Sequence, residues 1–211
     1  MGDVPGGLVR GPDGRRRCGW GASTPDYVRY HDEEWGRPTD DDDALFERLS
    51  LEAFQSGLSW LTILRKRHGF RSAFAGFEIA AVAQFGARDV RRLLSDAGIV
   101  RNRAKITATI QNARAALELQ RGGGSFGRLI WSHRSPRSPA PRRLGDVPSS
   151  SAESKALAKE LKRRDFTFVG PTTAYALMQA CGLVNDHLAG CAVRGAVEAE
   201  RRAMIRSHRG Q

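Results

Sequence analysis

The sequence predicts an all-α protein, a helical bundle in which a tight turn joins two of the helices. Three observations carry that prediction. Apolar residues recur at three- and four-residue spacing, as in Leu45, Leu49 and Ala53 or Ile106, Ile110, Ala113 and Leu117. No segment shows a convincing period-2 alternation of a half-buried strand, and no internal repeat is present. Phe168-Val169-Gly170-Pro171 sets a glycine turn directly ahead of Thr172-Thr173 and an apolar helical run.

In chain order, residues 1 to 17 are rich in Gly, Pro and Arg without apolar period, which predicts a disordered basic tail. Order is expected from Cys18-Gly19-Trp20, with a short helix around Asp26 to His31 for which Pro25 is a suitable first residue. Thr39 reads as an N-cap, and the four aspartates 40 to 43 as a solvated first turn favoured by the helix dipole. Glu52 lies seven residues after Leu45, nearly on the face of the leucines, and a carboxylate on an inward stripe needs a reason. Leu58, Trp60, Leu61, Ile63 and Leu64 follow, closed by Arg65-Lys66-Arg67. Helices are expected over 78 to 84, 87 to 97 and 101 to 120, the second ended by Gly98 and the third by Gly122 to Gly124. Residues 132 to 149 form an irregular Pro/Ser/Arg loop. Ser150 and Glu153 resemble a capping box opening a helix to Arg164. The next helix runs from Pro171, where the missing N–H costs nothing, to Cys181, and Gly170 permits the tight turn before it. Beyond Arg194 the Arg/Glu-rich end is a frayed helix or a tail.

The 211 residues suffice for one domain with a real core. Thirty-four Lys and Arg against 23 Asp and Glu give a formal charge of +11, which suits a polyanionic partner. Eleven of the basic residues fall in 121 to 164, leading into the glycine turn. A helix start of that kind exposes N–H groups beside a positive dipole end, which suits a phosphate. Three cysteines make no disulfide framework, the start MGDVPGGLVR holds no signal segment, and no run approaches the roughly 20 apolar residues of a membrane span. The expectation is a cytoplasmic, monomeric protein.

His187 and Cys191, four apart, would share one face of a helix, and with Cys18 and His31 they make a Cys2His2 set of the kind zinc prefers. The two pairs lie at opposite ends of the ordered chain, so an ion between them would be structural and would tie start to end. Cys181, four after Leu177 on an apolar helix, reads as an inert buried thiol, Trp131 as core, and His68, His133 and His208 receive no role.

RCGW at 17 to 20, YHDEEWGRP at 30 to 38, LEAFQSGLSW at 51 to 60 and FVGPTTAYALMQACGLVNDH at 168 to 187 together resemble the DNA-3-methyladenine glycosylase I family, over about Arg17 to Cys191. The resemblance implies a helix-hairpin-helix glycosylase whose structural zinc joins the N- and C-terminal segments through Cys18, His31, His187 and Cys191. It implies one domain over 17 to 194, with a zinc part from 17 to 38 plus 183 to 194 and a hairpin-containing part from 39 to 182, between tails at 1 to 16 and 195 to 211. The catalytic role would fall to Glu52 and the base pocket to Tyr30 and Trp60, with Trp20, Tyr27 and Trp35 as further lining. Val169, Gly170 and Thr172 would meet DNA phosphate, and Leu58 would fill the gap left by an extruded base. Asp186, sixteen after Gly170 and beside a ligand, reads as a supporting group; Asp165 stands where glycine is expected. The implied reaction is hydrolysis of the N-glycosidic bond of 3-methyladenine in double-stranded alkylated DNA, without lyase chemistry, since no lysine follows Lys162. Two alternatives stay open: a zinc-stabilised module that binds damaged DNA without chemistry, and a glycosylase for another lesion such as 3-methylguanine.

Overall fold

The computed structural model describes residues 7–135 and 138–208. Among them ten α-helices enclose the core: α1 Pro25–Glu33, α2 Asp42–Gln55, α3 Trp60–Ala73, α4 Ile79–Val82, α5 Ala87–Ser95, α6 Arg103–Arg121, α7 Phe126–Ser132, α8 Ala152–Arg163, α9 Pro171–Ala180 and α10 Arg194–Ser207. The predicted bundle is present. α2 and α8 both pack against α9, and α4 packs against α6. Phe46, Phe54, Phe70, Phe74 and Phe77 fill the space beside α2, and Phe126 stacks on Phe166 at 5.4 Å. Trp131 is fully buried, with its indole N–H donating to the Thr39 carbonyl.

Local chemistry explains most helix starts. Thr24 caps α1 by accepting from the Tyr27 amide, with Pro25 in first place as expected. The cap of α2 is Asp41 rather than Thr39, because a side chain two residues later reaches the Ala44 amide. The aspartates that follow are not merely solvated. Asp42 accepts from the Phe126 and Gly127 amides, Ser125 and Gln120, so it caps α7, a helix the sequence reading left out. Those donors hold its carboxyl below the usual range against the opposing effect of burial. Asp43 accepts from the Ile79 amide at the start of α4. The box of α8 is Ser151 with Ser154, one residue later than the expected Ser150 with Glu153.

Both expected tails are corrected. Leu8–Arg10 (β1) and Arg16–Cys18 (β2) pair antiparallel, so ordered backbone starts before Cys18; residues 1–6 of the expected tail lie outside the described residues. Period-2 patterning could not reveal strands of three residues. The pairing is fixed instead by Arg17, which is buried and bonded to Asp13 across the turn and to Asp32 on α1. The chain after Arg194 is a docked helix. Val197 is fully buried, and the buried Arg201 donates to the Leu183 carbonyl.

The turn between α8 and α9 takes its shape from residues other than the glycine. Asp165 and Phe168 adopt left-handed φ of 63° and 56°, whereas Gly170 is extended at φ −96°. The glycine anticipated at 165 is thus explained by backbone conformation, whereas neither φ nor packing demands a glycine at 170, where a Cβ would meet nothing within 4 Å.

Candidate functional site

The metal-capable residues come together although no helix carries the second pair. His187 and Cys191 sit on an irregular segment that turns through the Cys191 amide to the Leu188 carbonyl, which corrects the expected helical face. Cys18, His31, His187 and Cys191 are all buried, and their ligand atoms lie within 4.8 Å of one another. His187 Nδ1 is 3.2 Å from His31 Nε2, Cys191 Sγ is 3.5 Å from His31 Nε2 and 3.7 Å from His187 Nδ1, and Cys18 Sγ is 3.9 Å from His187 Nδ1. Tetrahedral bonds of about 2.0–2.1 Å to nitrogen and 2.3 Å to sulfur require separations of roughly 3.3 to 3.8 Å. The group could hold one metal ion.

Each imidazole is oriented from behind. His31 Nδ1 is 2.7 Å from Asp32 Oδ1, so its proton sits there and Nε2 faces the cluster. His187 reverses the arrangement, with Nε2 donating to the Trp35 carbonyl at 3.1 Å. Asp32 is held by Arg17 and Arg15. Gly21 is required here, because a Cβ on it would stand 2.4 Å from the His31 ring. The Leu188 amide donates to Cys18 Sγ, and Arg194 donates to the Asn185 carbonyl, fixing the second pair from α10.

Beside this cluster lies a cavity of about 310 Å³. Trp20, Tyr27, Tyr30, Trp35, Glu52 and Trp60 all line it, so the structure gathers every expected pocket residue in one place. Trp60 and Tyr30 have ring centres 5.3 Å apart; Trp20 meets Trp35 edge-on at 4.9 Å and Tyr27 at 5.7 Å. Tyr27 is pinned by accepting from the Leu61 amide in the first turn of α3. Trp35 also stands edge-on to His187 at 4.6 Å, so pocket and metal cluster share a wall.

Glu52 is 7% exposed, yet no donor among the described residues bonds its carboxyl. Burial raises its pKa to about 8, with the Arg48 charge opposing, so burial favours the neutral acid in the empty site. Burial, followed by the nearby Glu52, also pushes the Tyr30 hydroxyl well up. Cys181 is buried and its thiol is pushed up to about 12, as befits an inert side chain.

The remaining expected residues lie apart from the cavity wall. Leu58 follows Gly57, whose φ of 82° makes the turn after α2, and is 40% exposed. Its turn is held by Lys105, which sequence reasoning passed over: the buried ammonium donates to the Phe54 and Ser56 carbonyls. Val169 is buried, Gly170 partly so, and Thr172 is exposed. Asn112 was also missed. Its side chain bonds both the amide and the carbonyl of Thr167 and anchors the turn from α6.

A family model for methyladenine glycosylase matches residues 20–194. The chain belongs to the methyladenine glycosylase family. It is 48% identical over 177 residues to DNA-3-methyladenine glycosylase 1 of Escherichia coli, covering 83% of this chain and 95% of that protein. It is 43% identical over 178 residues to DNA-3-methyladenine glycosylase of Haemophilus influenzae, covering 83% and 96%. A crystal structure of 3-methyladenine DNA glycosylase I superposes with a TM-score of 0.81 at 47% identity, over 83% of this chain and 98% of that one. The Staphylococcus aureus enzyme, whose structure concerns 3-methyladenine recognition, gives 0.80 at 37%, over 84% and 96%. The whole strand pair and all but the first residue of α10 fall outside the matched methyladenine glycosylase segment.

Proposed function

We propose that this methyladenine glycosylase hydrolyses the N-glycosidic bond of 3-methyladenine in double-stranded alkylated DNA and has no lyase activity. One observation carries the reading: a buried carboxyl without protein partner opens into a cavity walled by indole and phenol rings. A base inside a duplex is out of reach, so it is extruded into that cavity, at least cost for a damaged base. A base methylated at N3 is cationic while attached to the sugar and leaves neutral, so strong general-acid help is dispensable. Aromatic faces such as Trp60 and Tyr30 attract the cationic ring, and Glu52 takes its exocyclic N–H. The arriving cation favours the ionised form of Glu52, so binding releases the proton that burial retains in the free site. Water then attacks the sugar carbon. Lys105 is engaged by two carbonyls and supplies no amine for a Schiff base.

DNA is held elsewhere on the same chain. The Val169 and Gly170 amides have no acceptor among the described residues and precede the positive end of α9, an arrangement suited to a phosphate. Thr172 stands beside them. Leu58, exposed on its glycine turn, fills the space vacated by the base. Cys18, His31, His187 and Cys191 hold one zinc ion; with four protein ligands it is structural and leaves no position for substrate. What zinc supplies is a fixed wall, since Cys18 and Leu188 line the cavity too. Purified protein incubated with methylated DNA releases free 3-methyladenine, and Glu52→Ala slows that release strongly; a protein that shifts damaged DNA and liberates no base is a binding module instead.

A further inference from the structure

The cavity wall holds a second polar group whose orientation is dictated by its neighbours. Gln179 stands one turn after Tyr175 on α9, and both reach the same atom: Tyr175 Oη and Gln179 Nε2 each donate to Asp186 Oδ2 at 2.8 Å. A carboxylate only accepts, so Gln179 must turn its amino end toward Asp186. The carboxamide is thereby locked, and its carbonyl oxygen, with no hydrogen bond to a described residue, is left to the cavity that Gln179, Asp186 and Glu52 line together. Asp186 cannot readily swing away. The Asn185 amide before it donates to Ser138 Oγ, and His187 after it is bonded to the Trp35 carbonyl.

Building on the glycosylase reading above, we propose that Gln179, aligned by Asp186, is a specificity-determining residue that reads the exocyclic amino group of the lesion base. An adenine-type base carries two N–H donors at its six position, one for Glu52 and one for the Gln179 carbonyl. A guanine-type base carries a carbonyl oxygen there, which would face the Gln179 oxygen lone pair to lone pair. Gln179 therefore favours 3-methyladenine over 3-methylguanine, whereas the aromatic walls accept either ring. Asp186 is a positioning residue: it acts through the amide it orients.

DNA treated with a methylating agent carries both lesions, so chromatography of released bases gives their ratio in one reaction. Wild type is expected to release 3-methyladenine in preference. Gln179→Leu should lower that ratio by about fivefold to tenfold, the worth of one hydrogen bond, by slowing the adenine lesion and relieving the lone-pair repulsion of the guanine lesion. Asp186→Asn can donate to Gln179 and reverse its amide, which brings N–H to the cavity and lowers the ratio further by speeding the guanine lesion. Metal content is measured on each variant, and if Asp186→Asn loses the ion, Gln179→Leu alone decides. Equal slowing of both lesions, or an unchanged ratio in Gln179→Leu, overturns the assignment while leaving the glycosylase reading intact. Wild type that liberates no methylated base overturns both.

Discussion

The role proposed for Glu52 has a cost in stability. Its unfolded pKa near 4.5 rises to about 8 on burial, so between those values the folded state keeps a proton that the unfolded state has lost. Stability accordingly falls as pH rises from about 4.5 and levels off above about 8. Glu52→Gln removes that penalty. We expect the variant to be more stable at pH 7, by an amount on the order of 2–3 kcal/mol, with the gain vanishing near pH 4.5 in parallel thermal melts. In the proposed mechanism the same proton leaves when a cationic base binds. For the wild type, kcat/KM on 3-methyladenine is thus expected to climb with pH and flatten near 8; a profile falling across pH 6 to 8 would remove Glu52 as the partner of the cation. This residue was legible in the sequence because seven-residue spacing from Leu45 put it on the apolar face of a helix. Lys105 and Asn112 were not, since their partners are carbonyls and amides some 50 residues away in sequence, which no local pattern encodes.

At the scale of elements, the ends of the chain behave differently from what composition suggests. The Gly/Pro/Arg-rich start forms a strand pair because Arg17 finds Asp13 and Asp32 together, a long-range charge arrangement that outweighs weak local propensity. That same Asp32 fixes the tautomer of His31. Asp32→Ala should therefore weaken metal binding by about 10- to 100-fold, read as faster loss of the ion to a coloured chelator. Retention equal to wild type would mean that His31 is oriented by packing against Trp20 and Gly21 alone. The starts of α1, α2 and α8 were readable to within one or two residues of their Thr24, Asp41 and Ser151 caps, whereas α7 was missed although Ser125 caps it. The acidic run at 40 to 43 misled because its side chains cap α7 and α4 as well as α2, and tertiary caps leave no mark in local sequence.

Across the whole molecule, start and end meet at a single point. Cys18 and His31 come from the first ordered segment, His187 and Cys191 from the last, and α10 clamps the loop between them. No helix of the described residues is long and apolar enough to cross a membrane, and the +11 charge suits a nucleic-acid partner. About one zinc per chain is expected by elemental analysis. Removing it should lower the melting temperature and weaken base binding together, because the cluster and the cavity share Cys18 and the wall at Trp35. The fold and the residues that line its cavity were recognisable from four motifs spread along the chain; the irregular backbone of the metal-capable loop and the docked final helix were not, since both are held by tertiary hydrogen bonds. The most direct trial of the account is base release from methylated DNA by wild type and Glu52→Ala side by side. Free 3-methyladenine from the wild type and a rate lower by about a hundredfold or more in the variant is the predicted result, on the scale set by losing a placed electrostatic group. Full release by Glu52→Ala would contradict it.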